Sequence, residues 1–420
     1  MSALAILLGV AVLLVLRQPL LVILLALAAA VQLIWGRGQL DYIIEDMWVG
    51  LDKELILSIP LFLLCGAVMT RGSTAQRIIA VMEALTRRLP GGLGVACILT
   101  CALFASISGS SIVTMLAVGT VMYPAMRDAG YDNRFALGAV MAGGTLGILI
   151  PPSIPMILYG LVTESSITDL FLAGVGPGLL LTVVLCTYAM WVNRRLPTQA
   201  FSAAALLVAL RHGVWALLTP VIILGGIYSG FFTTTEAAAV GLAYALLVES
   251  LVHRHFGWAD LRHAVLETAK LGGSLFPLLA VALSLNLVLI EHRVPQALVE
   301  NVQAWIDSPA AFIVLVNLLL LGVGCLMTTG EAILVLAPLL APLAEAYGYD
   351  KVVFGLMMIL NLEIGFLTPP VGLNLIVALT AFKQPFGEIC RAAVPFIVLM
   401  LGVLAAVAVE PRIAMALVGP

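Results

Sequence analysis

The most constraining feature of this 420-residue chain is a repeat at an offset of 218 residues. At that offset, segment 124–152 falls on 342–370 without a gap, and eight of the 29 positions are identical. Six of the eight are Gly, Pro or Asp, residues that set backbone geometry. We therefore predict two halves of similar fold, residues 1–212 and 213–420. The identities include Gly130-Tyr131-Asp132 with Gly348-Tyr349-Asp350, Gly147 with Gly365, and Pro151-Pro152 with Pro369-Pro370.

Composition places the chain in a lipid bilayer. Hydrophobic residues make up 62% of it, charged residues only 10%, and the mean hydropathy is +1.14. A soluble domain carries about 25% charged residues. At about 20 residues per membrane span, a chain of this length holds roughly a dozen membrane segments. We predict an all-α polytopic membrane protein, and the net charge of -3 gives no indication of a nucleic-acid partner.

Apolar stretches of two lengths follow one another along the sequence. Shorter pieces at 111–126, 154–163, 330–344 and 371–382 are marginal or too short to cross a bilayer. We expect them to form re-entrant hairpins at about 106–127 and 327–346, and parts of broken helices at about 134–163 and 352–382. Non-helical backbone at membrane depth needs protein or water around it, so the breaks are candidate functional sites. The remaining helical spans are predicted near 3–34, 55–70, 93–106, 134–150, 170–191, 213–230, 236–252, 271–290, 310–326, 352–367 and 392–410.

The charges of the loops indicate that the two halves have opposite orientations in the membrane. Loop 71–90 contains four Arg, whereas the corresponding loop 289–308 contains one Arg and three acids. Loop 36–54 contains five acids, whereas 254–272 contains three basic residues. Loops rich in Lys and Arg remain cytoplasmic, so the halves are predicted to be inverted repeats. The predicted cytoplasmic segments are 71–90, 127–134, 192–212, 253–270 and 383–391.

Hydroxyl groups are concentrated at the tip of each predicted hairpin. Hydroxyl and freed carbonyl oxygens are hard ligands suited to alkali cations, and broken helices supply them in transporters. The alternative is that these Ser and Thr residues pack and hydrogen bond within buried helices. Because the cluster recurs at the equivalent position of both halves, we favour contact with an ion or a substrate. The residues are Ser106, Ser108, Gly109, Ser110, Ser111 and Thr114 in the first half, and Met327, Thr328, Thr329 and Gly330 in the second.

Each predicted broken helix contains a Pro-Pro pair that follows a Gly. Proline removes a backbone donor and frees a carbonyl one turn earlier, so two adjacent prolines are expected to end a helix. A simple kink is the alternative, but the same break in both halves favours a functional role. Half-helix N-termini at such a break attract an anionic group. The candidates are Thr145, Gly147, Pro151 and Pro152, and then Asn361, Glu363, Gly365, Thr368, Pro369 and Pro370.

Three acidic residues lie in or beside apolar sequence. A charge inside the membrane is costly and points to function, which applies to Glu363 and to Glu331. Glu363 is expected either to couple an ion or to bind the amides of the break. Glu236 follows three Thr residues and is expected to cap a helix.

Other functional classes fit these residues less well. A channel needs a continuous polar path, whereas the polar residues cluster at two breaks. An intramembrane enzyme needs an activated nucleophile or a metal set, and all five His lie in predicted loops. A scaffold without transport has no need of two hydroxyl-lined breaks in register.

The chain resembles the DctM-like large membrane subunit of the TRAP (tripartite ATP-independent periplasmic) transporters, in the ion transporter superfamily. The resemblance runs from about Ile59 to the C-terminus and rests on long motifs. Those motifs are 103–114 (LFASISGSSIVT), 143–155 (GGTLGILIPPSIP), 225–230 (GGIYSG), 235–240 (TEAAAV) and 361–374 (NLEIGFLTPPVGLN).

The resemblance implies a secondary active importer of the bacterial inner membrane. A periplasmic binding protein delivers a small organic acid, sodium (Na+) drives its uptake, and a small membrane subunit is a separate chain. An elevator-type transport domain slides against a scaffold. Sodium ligands are implied among Ser106, Ser108, Gly109, Ser110, Ser111, Thr145, Gly147, Met327, Thr328, Thr329, Gly330, Glu363, Gly365 and Thr368. Substrate contacts are implied at Ser110, Thr114, Pro151, Pro152, Glu331, Asn361, Pro369, Pro370 and Asn374.

The sequence departs from the family pattern in two places. After Met327 the family usually has an acid, whereas here Thr328 stands there and Glu331 follows three residues later, on the same helix face. The usual Thr-Pro-Thr-Glu reads Thr-Thr-Thr-Glu at 233–236. The first departure bears on the cation stoichiometry or the substrate class, and the second does not. Within the transporter class, proton coupling through Glu363 or Glu331 is the alternative to sodium. A carrier of the same superfamily that needs no binding protein is a further alternative.

Overall fold

The computed structural model describes residues 12, 13, 16, 18–34 and 40–418. Within that part of the chain every regular element is helical, which confirms the all-α prediction. A short 3-10 turn (Glu54–Leu57) precedes α3, and a π turn (Val248–Val252) extends α11. In chain order the helices are α1 (Leu20–Ile34), α2 (Asp41–Leu51), α3 (Ser58–Arg71), α4 (Thr74–Thr86), α5 (Gly92–Ser108), α6 (Ser111–Asp128), α7 (Asn133–Leu149), α8 (Ile154–Thr163), α9 (Ile167–Val192), α10 (Ala203–Tyr228), α11 (Thr234–Leu247), α12 (Trp258–Glu291), α13 (Val294–Gln303), α14 (Pro309–Gly324), α15 (Thr329–Ala346), α16 (Lys351–Phe366), α17 (Leu373–Phe382), α18 (Phe386–Val409) and α19 (Arg412–Met415).

Eight helical segments among the described residues are long and apolar enough to cross a membrane. They differ in how far the rest of the protein encloses them. The broken segment Asn133–Thr163 is 94% buried in its most apolar window, whereas Ala203–Tyr228 is only 28% buried. The broken helix therefore lies at the centre of the molecule, and α10 has a large outward face. The other six segments are Glu54–Arg71, Ile167–Val192, Thr234–Val252, Trp258–Glu291, Thr329–Ala346 and Phe386–Val409.

The 218-residue offset holds for helix boundaries as well as for sequence. Helix α6 (Ser111–Asp128), moved by 218, coincides at both ends with α15 (Thr329–Ala346), and α7 begins where α16 begins. The peptide bonds within both Pro-Pro pairs are cis. Both halves therefore contain a helical hairpin, a broken helix and a long helix in the same order. The division at residue 212 and the opposite orientation of the halves in the membrane remain predictions.

The repeated Gly-Tyr-Asp motif forms the turn between each hairpin and its broken helix. Gly130 and Gly348 have φ of +83° and +84°, a left-handed conformation that glycine adopts without steric penalty. Asp132 and Asp350 then each accept hydrogen bonds from two backbone N–H groups in the first turn of the next helix. The repeated residues are those that the turn requires.

Three segments that were predicted to be loops each contain an amphipathic helix instead. Segment 36–54 contains α2, segment 71–90 contains α4, and segment 289–308 contains α13. In α4, Ile78, Ile79 and Met82 are buried, at spacings that place them on one face of a helix. The loop prediction was based on the charges of these segments and did not consider the helical spacing of their apolar residues.

The predicted limits of three spans were also wrong. A continuous helix over 3–34 is contradicted at Gln18 and Pro19, which are not helical, and residues 1–11 lie outside the described part. Helices α10 and α12 begin at Ala203 and Trp258, well before the predicted 213 and 271. The predicted limits follow hydropathy, which falls where charged residues begin. A helix can continue through such residues beyond the apolar stretch, as α10 and α12 do at their N-terminal ends.

Candidate functional site

Each hairpin is longer than the sequence predicted and ends in a sharp tip. The first hairpin is α5 and α6, with its tip at Gly109 and Ser110; the second is α14 and α15, with its tip at 325–328. The residues around each tip and its broken helix form a cluster. The first cluster consists of Ser108, Gly109, Ser110, Ser111, Thr114, Gly147, Pro152 and Ser153. The second cluster consists of Gly324, Cys325, Thr329, Asn361, Glu363, Gly365, Gly372 and Asn374.

The first cluster joins the first hairpin tip to its own broken helix. The hydroxyls of Ser108 and Thr114 are hydrogen bonded at 2.6 Å, and both residues are buried. The carbonyl of Gly109 accepts a 3.4 Å hydrogen bond from the N–H of Ile154, at the start of α8. A Cβ on Gly147 would lie 2.5 Å from the Ser110 carbonyl oxygen, so only glycine permits this approach.

The second cluster repeats this packing with the second hairpin tip. A Cβ on Gly365 would lie 2.4 Å from the carbonyl carbon of Gly324, which no side chain tolerates. The N–H of Gly372, just before α17, donates a 3.1 Å hydrogen bond to the carbonyl of Cys325. Each tip therefore makes close backbone contact with both parts of its own broken helix.

Glu363 is the buried acid of the second cluster. Its Oε1 accepts a 2.9 Å hydrogen bond from the hydroxyl of Thr329, and the residue is 0% exposed. Its Oε2 has no hydrogen-bond partner among the described residues. Leaving one oxygen of a buried carboxylate unpaired is costly, so this atom is a candidate ligand for a cation.

The two halves exchange contacts at the hairpin tips. Asn374 of α17 donates a 2.7 Å hydrogen bond from its amide to the hydroxyl of Ser111, at the start of α6. In the other direction, a Cβ on Gly330 would lie 3.2 Å from Cδ1 of Leu158 in α8, closer than an ordinary van der Waals contact, so the two elements pack tightly here. Each tip therefore lies between its own broken helix and the second part of the other one.

Two residues of this region, Asn317 and Ser153, were not among the predicted site residues. The side-chain amide of Asn361 donates to two oxygens of Asn317, the backbone carbonyl at 3.0 Å and Oδ1 at 2.7 Å. Asn317 lies on α14 and is the single polar residue in the apolar run 309–324. That isolated position was the sequence signal that could have identified it. Ser153 is fully buried, and its hydroxyl lacks a hydrogen-bond partner within the described chain. Its position directly after the Pro-Pro pair was the signal.

Several predicted site residues are bonded within their own helices. The hydroxyls of Ser106, Thr145 and Thr368 donate to the carbonyls three or four residues earlier. This is the structural alternative that the sequence left open. Pro151 and Pro152 are buried, whereas Pro369 and Pro370 are exposed, so the second break opens to the surface.

Glu331 forms a capping box with Thr328 at the start of α15. The Thr328 N–H donates to its carboxylate at 3.0 Å, and the Glu331 N–H donates to the Thr328 hydroxyl at 3.3 Å. Glu236 and Thr233 form the same motif at the start of α11, as expected from the sequence. The displaced acid at 331 thus bonds within the first turn of its own helix, whereas Glu363 accepts its hydrogen bond from Thr329 on another helix.

Four helices begin at the tips and breaks, namely α6, α8, α15 and α17. The N-terminus of a helix carries partial positive charge and free N–H groups, which attract anions. At α15 the Glu331 carboxylate occupies this position, whereas no side chain caps α6, α8 or α17. The starts of α6 and α17 are therefore available to a carboxylate ligand, in clusters that contain no Lys or Arg. At α8 the Ile154 N–H already donates to Gly109, and Pro155 has no N–H.

The buried oxygen atoms of the clusters fit a hard monovalent cation. Oε2 of Glu363, Oδ1 of Asn361, Oδ1 of Asn374 and Oγ of Ser153 are all buried, without a hydrogen-bond partner among the described residues. Such mixed carboxylate, amide and hydroxyl oxygens are the ligands that alkali cations take. The part of the chain that the structure describes contains no group of three His, Cys, Asp or Glu suited to a transition metal.

Residues 7–413 match the family model described as the DctM component of the tripartite ATP-independent periplasmic transporters. The chain belongs to this family. The sequence-based family prediction is thereby confirmed, and the protein is a transporter permease rather than an enzyme. A TRAP large permease with several apolar helices is a multi-pass protein of the inner membrane.

TRAP large permeases from several bacteria are similar to this chain over most of its length. The C4-dicarboxylate large permease DctM of Pseudomonas aeruginosa is 42% identical over 369 residues, which are 87% of this chain and 86% of the relative. The ectoine permease TeaC of Halomonas elongata is 35% identical, with 90% of each chain covered. The 2,3-diketo-L-gulonate permease YiaN of Escherichia coli is 34% identical, with 84% of each covered.

Two solved transporters share the fold of this TRAP permease. The YdaH transporter of Alcanivorax borkumensis superposes with a TM-score of 0.64 over 92% of this chain and 91% of its own, at 15% identity. MtrF of Neisseria gonorrhoeae gives a TM-score of 0.64 over 92% and 85%, at 11% identity. At such identities the likeness concerns the fold alone.

Proposed function

We propose that this permease imports a small organic acid together with sodium, and that a periplasmic binding protein delivers the acid. A separate small membrane subunit completes the complex. One observation carries the proposal: buried oxygen atoms without partners lie in the same two clusters as uncapped helix N-termini. The first kind of group attracts a cation, and the second attracts a carboxylate.

The second cluster supplies the better sodium site. Glu363 contributes a fully buried carboxylate oxygen, and Thr329 orients that carboxylate through its hydroxyl. Asn361 presents an amide oxygen whose position is fixed by the two bonds from its amide to Asn317. A cation bound by these groups would offset the cost of a buried charge.

The substrate class follows from the charge of the site. The clusters contain no basic side chain, so a substrate carboxylate would bind the N–H groups at the starts of α6 and α17. Bound sodium would add positive charge beside it, which links uptake of the two. The C4-dicarboxylate and 2,3-diketo-L-gulonate permeases among the relatives support an organic acid.

We infer an elevator-type movement of the hairpins and broken helices against the remaining helices. The exchange of contacts between halves supports this, because Ser111 binds Asn374 and Gly330 packs on Leu158. These contacts join four elements into one packed body that could move as a unit. The predicted inversion of the halves would give that body equivalent positions facing each side of the membrane.

Proton coupling is the second candidate, since one buried acid with a single hydrogen bond also suits a proton carrier. The two candidates share the fold and differ in the ion that Glu363 binds.

Uptake into proteoliposomes tests the tripartite assignment. The permease would be reconstituted with its small subunit, and uptake of labelled C4-dicarboxylates and sugar acids measured with and without the cognate binding protein. We expect uptake only when all three components are present. Uptake by the permease alone would show instead a carrier that needs no binding protein.

A further inference from the structure

A groove away from the two clusters lies between α4 and the first turns of α10. It has a volume of about 630 Å³, within the range of about 300–1,000 Å³ typical of small-ligand sites. Its sides are apolar and made mainly of small residues, and one end is basic. The sides are Ala80, Ala204, Ala205, Val208 and Ala209, and the basic end contains Arg77, His212 and His255.

Arg77 supplies a fixed positive charge at the basic end. Its Nε donates a 2.9 Å hydrogen bond to the hydroxyl of Ser73, and one terminal nitrogen donates a 2.9 Å bond to the carbonyl of His212. These bonds hold the guanidinium in place and leave further N–H groups for a ligand. Within the described chain Arg77 forms no ion pair.

Glu249, the acid that Ser73 also contacts, is bound by other partners. The buried carboxylate of Glu249 accepts hydrogen bonds from Ser73 and Thr74 and lies 3.3 Å from Nδ1 of His253. No carboxylate lines the groove itself. The charge of the basic end is therefore available to an anion from outside the chain.

The groove adjoins exposed apolar surface and follows closely after a membrane-spanning helix in sequence. Arg77 lies six residues after Arg71, the last residue of a membrane-spanning helix. Beside the groove, the outward face of α10 exposes Leu207 at 69% and Val208 at 58%, so apolar surface adjoins the fixed cation. The predicted cytoplasmic loops 71–90 and 192–212 place this groove at the inner leaflet.

We propose that this groove binds one anionic phospholipid of the cytoplasmic leaflet. The phosphate binds the guanidinium of Arg77, and an acyl chain lies along the small residues of α10. Basic pockets between membrane helices on the cytoplasmic side recognise anionic lipid headgroups in this way. The groove therefore prefers phosphatidylglycerol to phosphatidylethanolamine, whose amine partly neutralises the phosphate. This inference does not depend on the proposed transport reaction.

Lipid binding to the purified full-length protein tests the proposal. Delipidated protein in detergent would be titrated with phosphatidylglycerol or phosphatidylethanolamine, and bound lipid counted by native mass spectrometry. We expect one preferred phosphatidylglycerol. Arg77→Gln should weaken it by about fivefold, the loss expected for one basic residue at an anionic lipid surface. Arg71→Gln is the control, because Arg71 is close to Arg77 in sequence but does not line the groove and already pairs with Glu267.

A second variant separates lipid binding from the structural bonds of Arg77. Ala209→Trp fills the groove and leaves Arg77 with its bonds to Ser73 and His212, so it should also reduce phosphatidylglycerol binding. Wild-type affinity in both Arg77→Gln and Ala209→Trp would overturn the proposal. The proposal would also be overturned by a second result: inorganic phosphate displaces the lipid from the wild type and binds the Ala209→Trp variant with the same affinity. The groove would then be a site for free anions.

Discussion

The amide of Asn374 donates a 2.7 Å hydrogen bond to the hydroxyl of Ser111, and both side chains are buried. The two residues are 263 positions apart, one in each half of the chain. The bond fastens the tip of the first hairpin to the second broken helix, and it lies among the residues proposed to bind sodium and substrate.

Removal of either partner should impair transport, and removal of both should add little. Ser111→Ala leaves the buried Asn374 amide without a partner, at a cost of about 1–3 kcal/mol. In a double-mutant cycle on initial uptake rates, we expect Ser111→Ala and Asn374→Ala to be strongly non-additive. Ser106→Ala is the control, because that hydroxyl donates only to Leu103 of its own helix. Additive losses would show that the bond does not act as a unit.

Glu363→Gln tests whether the buried carboxylate binds the coupling cation. The amide keeps the size of the side chain but loses its charge. Loss of a charged contact costs about 1.5–3 kcal/mol, so the sodium concentration for half-maximal uptake should rise by about tenfold or more. Glu331→Gln should alter stability slightly and leave sodium dependence unchanged, because Glu331 caps α15. Unchanged sodium dependence in Glu363→Gln would exclude Glu363 as a ligand.

Gly365→Ala tests whether the second tip must approach its broken helix closely. The added Cβ would lie 2.4 Å from backbone of Gly324, so the hairpin must move away. We expect uptake to be abolished while the protein still reaches the membrane. Gly322→Ala on the same hairpin is the control, since nothing lies within 4 Å of a Cβ there. Normal uptake by Gly365→Ala would show that the break is only a kink.

Cysteine labelling tests the predicted inversion of the halves and the side on which the lipid groove lies. A cysteine replacing Arg87 should react with an impermeant maleimide only in inside-out vesicles. A cysteine replacing Trp305, the exposed counterpart of Arg87 at the 218-residue offset, should react only in right-side-out cells. Both substitutions would be made after removal of Cys390, the most accessible of the six native cysteines, since the other five are buried. Labelling of position 87 from the outside would reverse the orientation and move the groove to the outer leaflet.

Much of the fold followed from residues whose role is local. Gly130 and Asp132 form a turn and a cap, and Gly348 and Asp350 repeat them, so the offset in sequence became an offset in structure. The capping box at Thr233 and Glu236 was equally readable. Single prolines gave a weaker signal: Pro177 and Pro220 lie inside continuous helices, whereas the Pro-Pro pairs end theirs.

The candidate site was less predictable because its geometry depends on contacts distant in sequence. Whether a hydroxyl bonds to its own helix, as Thr145 does, or to another segment, as Ser111 does, depends on which segments pack together. Asn317 acts only through Asn361, 44 residues away. Glu331 and Glu363 looked alike in apolar sequence, and only the structure separates a helix cap from a buried acid.

Sodium is proposed to drive uptake through the second cluster. The most direct measurement is initial solute uptake into proteoliposomes containing the complete transporter, with either a sodium gradient or a proton gradient imposed and the other ion clamped. We predict uptake driven by inward sodium at constant pH, with a half-maximal sodium concentration that rises in Glu363→Gln and is unchanged in Glu331→Gln. Uptake driven by protons alone, with no response to sodium, would contradict this prediction.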